Sequence, residues 1–221
     1  IDLVIPRGGE GLIHYVSENS QIPVIQHFKG VCHLYIDKYA DLDKAVNILV
    51  NGKTQKPSAC NAFETFLVHQ DIAGKFLPFA AKALAEAANV KVHACASSLG
   101  YFENGQLATI DDYHAEYLAQ EIAVKVVNGF NDAITHINEY TSDHTEVIIT
   151  QDTSRSQAFI RQINSSVVMV NASSRFSDGN QLGLGSEIGI STSKLHAYGP
   201  MGLEALTTEK FVVYGDGQVR E

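Results

Sequence analysis

The chain has 221 residues, of which 45% are hydrophobic and 19% are charged, and its formal net charge is −9. This composition is typical of a soluble globular protein with a sizeable core, and it excludes general disorder. The acidic balance argues against nucleic acid or an anionic membrane as a main partner. No run of about 18 apolar residues is present, so we predict no transmembrane span. Three well-separated cysteines, Cys32, Cys60 and Cys95, favour a reducing, cytoplasmic setting over a disulfide framework.

The N-terminal segment begins with a strand-like run at residues 1–5, and it shows neither an initiator methionine nor a signal-peptide pattern. We therefore expect the chain to be a fragment or an excised half of a longer protein. A glycine turn containing Arg7, Gly8 and Gly9 follows and leads into a helix predicted over residues 12–18. Turns of this kind hold phosphates because helix N-terminal amides point outward, but they are also ordinary connections.

Strand-like runs alternate with helical patterns through the middle of the chain. The predicted strands lie at residues 24–25, 31–36, 63–68, 90–94, 124–127, 147–150 and 167–170. The predicted helices begin after the N-caps Asp41 and Asp152 and at Asp132, and a further helix carries an apolar stripe predicted to pack in the core at Phe76, Phe79, Ala80, Ala83, Leu84 and Ala87. This alternation predicts an α/β domain with a largely parallel sheet flanked by helices.

A polar loop at residues 51–61 joins a predicted helix to the strand at residues 63–68, and it carries Cys60. Free cysteine is usually a small buried hydrophobe, so a cysteine in a polar loop is either tucked beneath that loop or reactive. Two lysines of the loop, Lys53 and Lys56, would favour the thiolate, which is the nucleophilic form. Cys32 and Cys95 are predicted to be packing residues.

The chain becomes small, polar and glycine-rich from Asn171 onward, at residues 171–179 and 182–187. A long irregular segment inside a compact domain is more often functional than filler. This segment follows a predicted strand end, which is the usual ligand edge of a parallel sheet. A last strand-like run at residues 210–214 is predicted to form an edge that pairs with another subunit.

Several separated stretches resemble the gamma-glutamyl phosphate reductase family, also called glutamate-5-semialdehyde dehydrogenase, of the aldehyde dehydrogenase superfamily. They are the loop NGKTQKPSACN at 51–61, residues 127–148, the run NASSRFSDG at 171–179, and residues 194–208. The likeness covers about the C-terminal half of such a protein. It implies an aldehyde dehydrogenase-like catalytic domain at 31–195, preceded at 1–30 by the trailing edge of a cofactor-binding domain and followed at 196–221 by an oligomerisation segment.

The resemblance implies the NADPH-dependent reduction of L-glutamyl 5-phosphate to L-glutamate 5-semialdehyde and phosphate, a step of proline biosynthesis. Cys60 would attack this small-molecule acyl phosphate and form a thioester, which hydride transfer converts to the aldehyde. Most of the NADPH site would lie outside the chain. The other partners implied are further copies in a homo-oligomer and the glutamate 5-kinase that supplies the substrate.

The resemblance also assigns roles to residues around Cys60. On the cofactor side, the matched positions are Arg7, Gly8, Gly9 and Glu116. On the substrate side, they are Asn171, Ser173, Ser174 and Arg175. An arginine fork fits a carboxylate or phosphate, although Arg175 could equally be a structural cross-link. No spacing of metal-ligand type is present among the histidines, so no metal site is predicted.

Two alternatives remain open at this point. The first is a cysteine hydrolase that pairs Cys60 with a histidine such as His144. It would need a positioned base and a water path, and the sequence identifies neither. Counting back from Asp37, Gln26 stands where hydrolytic aldehyde dehydrogenases carry the glutamate that activates water, which supports reduction over oxidation. The second alternative is a non-catalytic half-domain that only folds or assembles.

Overall fold

The computed structural model describes residues 1–221 and is built around a seven-stranded sheet in the order β4-β3-β5-β2-β1-β6-β7. All pairings in this sheet are parallel. Its strands are β1 Cys32–Ile36, β2 Phe63–His69, β3 Lys91–Ala94, β4 Gln106–Leu107, β5 Glu121–Val127, β6 Thr145–Ile149 and β7 Val167–Val170. The predicted α/β class with a parallel sheet flanked by helices is confirmed.

Six helices connect and flank these strands. They are α1 Glu10–Asn19, α2 Leu42–Thr54, α3 Gln70–Ala88, α4 Ile110–His114, α5 Phe130–Tyr140 and α6 Thr153–Gln162. Helices α2 and α3 pack on one face of the sheet, and α5 and α6 pack on the other. Every residue of β1 and β2 is buried as a result, as expected for central strands of a sheet that is covered on both faces.

Both predicted helix caps are confirmed. The Asp41 carboxylate accepts a hydrogen bond from the Lys44 amide at 3.1 Å, and Asp152 accepts one from the Arg155 amide at 2.9 Å. These side chains satisfy backbone donors that the first turn of a helix leaves free. Helix α2 continues to Thr54, however, so the first residues of the predicted Cys60 loop are helical.

The predicted core stripe of α3 is wrong at Phe79, which is 62% exposed, and at Ala87, which is also exposed. The buried face consists of Ala73, Phe76, Leu77, Ala80 and Leu84. This face follows the same helical period but is rotated about the helix axis, because the packing partners of α3 are α2 and the sheet.

The two ends of the chain carry less regular structure than the sequence predicts. Within residues 1–5 only Val4 pairs, through a parallel bridge to Val24. The strand predicted at 210–214 does not form in this chain, and Phe211 and Tyr214 are almost completely exposed. Between the sheet and this tail, β8 Gly189–Ser191 pairs antiparallel with β9 Gly199–Met201. None of the helices has the length and apolar character needed to cross a membrane.

Candidate active site

Cys60 lies at the amino-terminal edge of the sheet, in the short connection between α2 and β2. The chain just before β1 passes directly against it, because a Cβ atom placed on Gly30 would stand 2.2 Å from the carbonyl oxygen of Cys60. Only glycine permits so close an approach. Cys60 therefore lies at the edge opposite to the carboxyl edge, at which the segment from Asn171 leaves β7.

Three hydrogen bonds hold Cys60 and Asn61, two through their backbone carbonyls and one through the Asn61 side chain. The Cys32 thiol donates to the Cys60 carbonyl at 3.3 Å, and the Ser174 hydroxyl donates to the Asn61 carbonyl at 2.5 Å. The Asn61 side chain donates to the carbonyl of Ser177 at 2.8 Å. Ser174, predicted to bind substrate, is thus completely buried and connects the 171–179 segment to the Cys60 loop.

A cavity of about 240 Å³ opens beside Cys60. Its polar lining consists of Arg7, Gly8, His27, Lys29, Cys60, Glu116 and Glu187. The structure therefore brings the predicted nucleophile together with three of the four residues predicted on the cofactor side. The fourth, Gly9, does not line the cavity but stands at the N-cap position of α1.

Glu116 is anchored in this cavity through one of its carboxylate oxygens, Oε1, which accepts a hydrogen bond from the Gly30 amide at 2.9 Å. Burial raises the pKa of the Glu116 carboxyl group, while the Gly30 amide opposes that rise. Arg7 also lines the cavity and donates to the carbonyl of Ile188 at 3.0 Å. Both residues are thus positioned by backbone groups.

The Cys60 thiol is protonated at neutral pH in this structure. Burial raises its pKa to about 11, and the carboxylates of Glu187 and Glu116 add to the rise. The amide of Cys60 itself and the Arg175 guanidinium act in the opposite direction but do not cancel it.

The prediction that two lysines activate Cys60 is wrong. Lys53 is completely buried within α2, where its ammonium group lies 2.6 Å from the Glu64 carboxylate. Lys56 is exposed. The second oxygen of Glu64 accepts from the Leu118 amide at 3.4 Å, so this buried ion pair joins α2 to the segment that carries Glu116. Its role is to brace the loop rather than to ionise the thiol.

Three of the four residues predicted on the substrate side, Asn171, Ser173 and Arg175, line a second space, a groove of about 600 Å³ between α2 and residues 171–181 that Cys60 does not line. Arg175 donates from Nε to the Gln55 side chain at 2.7 Å, and its Nη1 is buried without a partner. Ser173 accepts from the Arg175 amide at 3.3 Å. The arginine is therefore held in place while one nitrogen stays free.

Asn171 lines the same groove, but its side chain is committed to the fold. It accepts from the Thr150 amide at 3.0 Å and donates to the Thr150 carbonyl at 2.9 Å. The residue has a φ of 55°, a left-handed conformation that asparagine tolerates better than most residues. Asn171 thus fixes the point at which the chain leaves β7.

His144 does not meet the requirement of the hydrolase alternative. It is completely buried, it does not line the Cys60 cavity, and its Nδ1 lies 2.7 Å from the Thr145 hydroxyl. Burial lowers its pKa to about 3. The structure therefore does not bring this histidine to the Cys60 sulfur. Gln26 is also directed away, since its side-chain oxygen accepts from the Ser17 hydroxyl and does not line the cavity.

Sequence reasoning missed three residues of the site: Cys32, His27 and Glu187. His27 lines the Cys60 cavity, and both of its ring nitrogens are buried without a hydrogen-bond partner. Glu187 accepts from the Gly179 amide at 2.9 Å and lines the same cavity. None of the three has a spacing that marks it in sequence, because each reaches Cys60 through the tertiary fold.

Comparison with known proteins bears on this arrangement. No protein-family model matches the chain. The chain is 85% identical over 221 residues to the gamma-glutamyl phosphate reductase of Colwellia psychrerythraea, covering 100% of the chain and 53% of that protein. The crystal structure of gamma-glutamyl phosphate reductase from Thermotoga maritima superposes with a TM-score of 0.94 at 47% identity, covering 100% of this chain and 53% of the other.

A more distant structure defines the fold class. An acetylating aldehyde dehydrogenase from Geobacillus thermoglucosidasius superposes with a TM-score of 0.78 at 17% identity, covering 100% of this chain and 58% of the other. The aldehyde dehydrogenase-like fold is therefore confirmed, as is the resemblance to gamma-glutamyl phosphate reductases. The chain spans about half the length of the curated relatives it matches.

Proposed function

We propose, from the similarity of this whole chain to gamma-glutamyl phosphate reductases, that it is the nucleophile-bearing half of such an enzyme. The whole protein would reduce L-glutamyl 5-phosphate to L-glutamate 5-semialdehyde. The observation that supports this most directly is Cys60, which is held by its backbone at the edge of a cavity that also contains Glu116. A cysteine with a fixed backbone beside a binding cavity is suited to covalent catalysis.

In this proposal the Cys60 thiol gives its proton to water, and the thiolate attacks the carbonyl carbon of the acyl phosphate. The carbon–sulfur bond forms, the bond from carbon to the phosphate oxygen breaks, and inorganic phosphate leaves. The amides of Cys60 and Asn61 donate to no acceptor elsewhere in the protein, so the Cys60 amide is available to the developing oxyanion. Because phosphate is a good leaving group and the thiol pKa is raised, loss of the thiol proton is the more demanding requirement.

Bound NADPH would supply the hydride that reduces the thioester. Glu116 fits a role in holding its ribose, because Oε1 is fixed by the Gly30 amide while the other oxygen has no partner in the protein. Arg7 and Gly8 line the same cavity, and Gly9 stands where the amides of α1 begin. After reduction, the thiohemiacetal on Cys60 collapses, the carbon–sulfur bond breaks and the aldehyde leaves.

For the substrate, we assign the anchoring role to Arg175, whose buried Nη1 has no partner in the protein. Its guanidinium could bind the carboxylate of the glutamyl group, with Ser173 holding the arginine backbone. Asn171 would shape the groove and Ser174 would hold the Cys60 loop, neither contacting substrate, since both side chains are bonded to backbone groups of the fold.

The remaining expectations form part of the same proposal. Residues 1–30 would complete a cofactor-binding domain, 31–195 would form the catalytic domain, and 196–221 would contribute to a homo-oligomer. The exposed side chains of Phe211, Val213 and Tyr214 are consistent with a tail that is covered in an assembly. A cytoplasmic location and supply of substrate by a glutamate 5-kinase complete the proposal.

The proposal is tested with the full-length protein that contains this chain. Glutamate 5-kinase generates the unstable acyl phosphate in the assay, and the oxidation of NADPH is followed by absorbance. We expect Cys60→Ser to lower kcat at least about 1,000-fold with unchanged thermal unfolding, because it removes the nucleophile. Cys95→Ser is the matched control and should keep its activity.

Other results would favour the alternatives. Release of glutamate at the same rate with and without NADPH would indicate a hydrolase. Wild-type protein that neither oxidises NADPH nor forms an acyl adduct on Cys60, detected by mass spectrometry, would indicate a non-catalytic unit. Turnover retained in Cys60→Ser would refute the assigned nucleophile.

A further inference from the structure

Cys32 forms a contact that its burial alone does not explain. It opens β1, its side chain is completely buried, and its sulfur lies 3.3 Å from the carbonyl oxygen of Cys60. Burial raises the pKa of the Cys32 thiol well above its ordinary value, and the Glu146 carboxylate adds to the rise. The thiol therefore keeps its proton and can donate it to the Cys60 carbonyl.

The groups on the other side of the Cys32 sulfur determine where that proton points. His144 Nδ1 lies 3.6 Å from the sulfur and 2.7 Å from the Thr145 hydroxyl. Thr145 donates its only hydroxyl proton to the Ser177 hydroxyl at 2.8 Å, so it must accept from His144 Nδ1. His144 Nδ1 then carries a hydrogen that it donates to Thr145, and this nitrogen cannot accept the thiol proton of Cys32.

His144 has no other protonation state that would change this assignment. Burial lowers its pKa to about 3, and the neighbouring His27 ring, 5.2 Å away between centroids, adds to the effect. The ring is therefore neutral, with its single proton on Nδ1. The Cys60 carbonyl is consequently the acceptor left for the thiol proton of Cys32.

The backbones of Cys60 and Asn61 are held through their carbonyl groups as a result. Cys32 holds the carbonyl of Cys60, and Ser174 holds the carbonyl of Asn61. The amide N–H of Cys60 contacts its own sulfur and donates to no other group of the protein. Cys60, held through its carbonyl, thus presents a free amide beside the nucleophilic sulfur, which is the arrangement needed to stabilise an oxyanion at that sulfur.

We propose that Cys32 is a positioning residue for the nucleophile, whose thiol fixes the Cys60 backbone so that the Cys60 amide faces the oxyanion formed when the sulfur attacks an acyl group. This inference rests on the proposed function in so far as Cys60 attacks an acyl carbon. It does not depend on the identity of the acyl group or on the hydride donor.

Two reagents distinguish an effect of Cys32 on the position of the Cys60 backbone from an effect on the ionisation of the Cys60 thiol. p-Nitrophenyl acetate acylates the sulfur through a tetrahedral oxyanion: the carbon–sulfur bond forms and p-nitrophenolate leaves. Iodoacetamide alkylates the same sulfur by displacement of iodide, without an oxyanion. Both rates are measured on the full-length protein that contains this chain, in a Cys95→Ala background, with Cys60→Ser as the blank.

We expect Cys32→Val, which fills a similar volume without a donor, to lower the acylation rate about tenfold, as misplacement of a reacting group does. The alkylation rate should stay within about twofold, because the S–H···O bond is weak and does not set the ionisation of Cys60. Cys32→Ser retains a donor and should restore acylation to within about threefold of the parent. Cys32→Ala provides the same test if the valine variant does not fold.

Several results would overturn the proposal. Equal acylation rates in parent and Cys32→Val would show that the contact does not position Cys60. Acylation and alkylation that fall by the same factor would show that Cys32 acts on ionisation or access. Loss of acylation in Cys32→Ser together with a lowered Tm would show a merely structural role, and a parent chain without any acylation burst would show that the loop is not set for acyl attack.

Failure of the positioning role of Cys32 can be distinguished from failure of the proposed function, because the reaction with p-nitrophenyl acetate needs neither NADPH nor L-glutamyl 5-phosphate. If the full-length protein does not reduce the acyl phosphate while the ester series behaves as expected, the positioning role stands and the substrate assignment falls. If the reduction proceeds and the ester series shows no difference, the positioning role falls alone.

Discussion

Cys60 and Cys95 stand at opposite edges of one sheet, and their thiols have opposite electrostatic surroundings. Cys95 follows β3 at the carboxyl edge, where its sulfur accepts from the Val126 amide at 3.3 Å and lies 3.2 Å and 3.1 Å from the hydroxyls of Ser97 and Ser98. Burial alone would raise its pKa, but these hydrogen bonds outweigh that effect and lower it. At Cys60, burial and two carboxylates raise the pKa instead.

The difference teaches that the cysteine with the lower thiol pKa is not the one that we propose as the nucleophile. Cys95 has the more acidic thiol, but it does not line the cavity that contains Glu116. Cys60 has the less acidic thiol but also the cavity, the free amide and the held backbone. The prediction that Cys95 is only a packing residue is wrong, because its sulfur is half-buried and hydrogen-bonded.

The largest change at the Cys60 edge is expected from Lys53→Met, which removes one partner of the buried ion pair. Glu64 would remain buried without its ammonium partner, and breaking such a pair typically costs about 3–5 kcal/mol of unfolding free energy. Urea unfolding measures this loss. The matched control is Lys82→Met, whose partner Glu86 is exposed and whose removal should leave stability unchanged within error.

This prediction sharpens the contrast between the two edges. If Lys53→Met lowered stability no more than Lys82→Met, the buried pair would not brace the Cys60 loop. The loss of the brace should also slow the acylation of Cys60, while leaving the alkylation of Cys95 unaffected, because Cys95 lies at the other edge.

A second prediction compares the two thiols directly by alkylation. At about pH 7.5 we expect iodoacetamide to modify Cys95 about tenfold faster than Cys60. A larger fraction of Cys95 is in the thiolate form, which raises its rate. The thiolate of a more acidic thiol is a weaker nucleophile, which offsets part of this advantage. The alkylation rate at Cys60 should continue to increase until the pH reaches about 11, the pKa of its thiol. The rate at Cys95 should level off below 9.0, its ordinary pKa.

Peptide mapping by mass spectrometry separates the two rates, and the buried Cys32 should remain unmodified throughout. A faster rate at Cys60 in the native chain would contradict the assigned surroundings of both thiols. Urea-unfolded chain provides the control, since both cysteines should then react at similar rates.

The regular elements of the fold were predictable because they depend on neighbours in sequence. Asp41 and Asp152 cap helices through amides three residues away, and the apolar run at residues 63–68 needs only its own composition to indicate a strand. The end of α2 was not predictable in this way. Its polar last turn is helical because Lys53 finds a buried partner, Glu64, on the following strand.

In the candidate site, too, some residues could be named from the sequence, whereas the contacts made only by the tertiary fold could not. The resemblance named Cys60 together with Arg7, Gly8 and Glu116, and the fold brings these four residues to one cavity. No sequence pattern could show that Cys32 donates to the Cys60 carbonyl, since that contact joins the start of β1 to a loop after α2. The sequence also did not show that the Cys60 thiol keeps its proton. Burial makes the largest contribution to its raised pKa, and burial depends on the tertiary fold.

The smallest expected change concerns Glu187, the carboxylate that contributes most to the raised pKa of Cys60 after burial. Glu187→Gln removes the charge while keeping an oxygen that can accept from the Gly179 amide. Because Glu187 is exposed, water screens much of its charge, and we expect alkylation of Cys60 at about pH 7.5 to rise only about twofold. The rate at Cys95, which lies at the other edge, should not change. An increase shared by both cysteines, or a decrease at Cys60, would show that Glu187 controls access to the cavity rather than the charge around the sulfur.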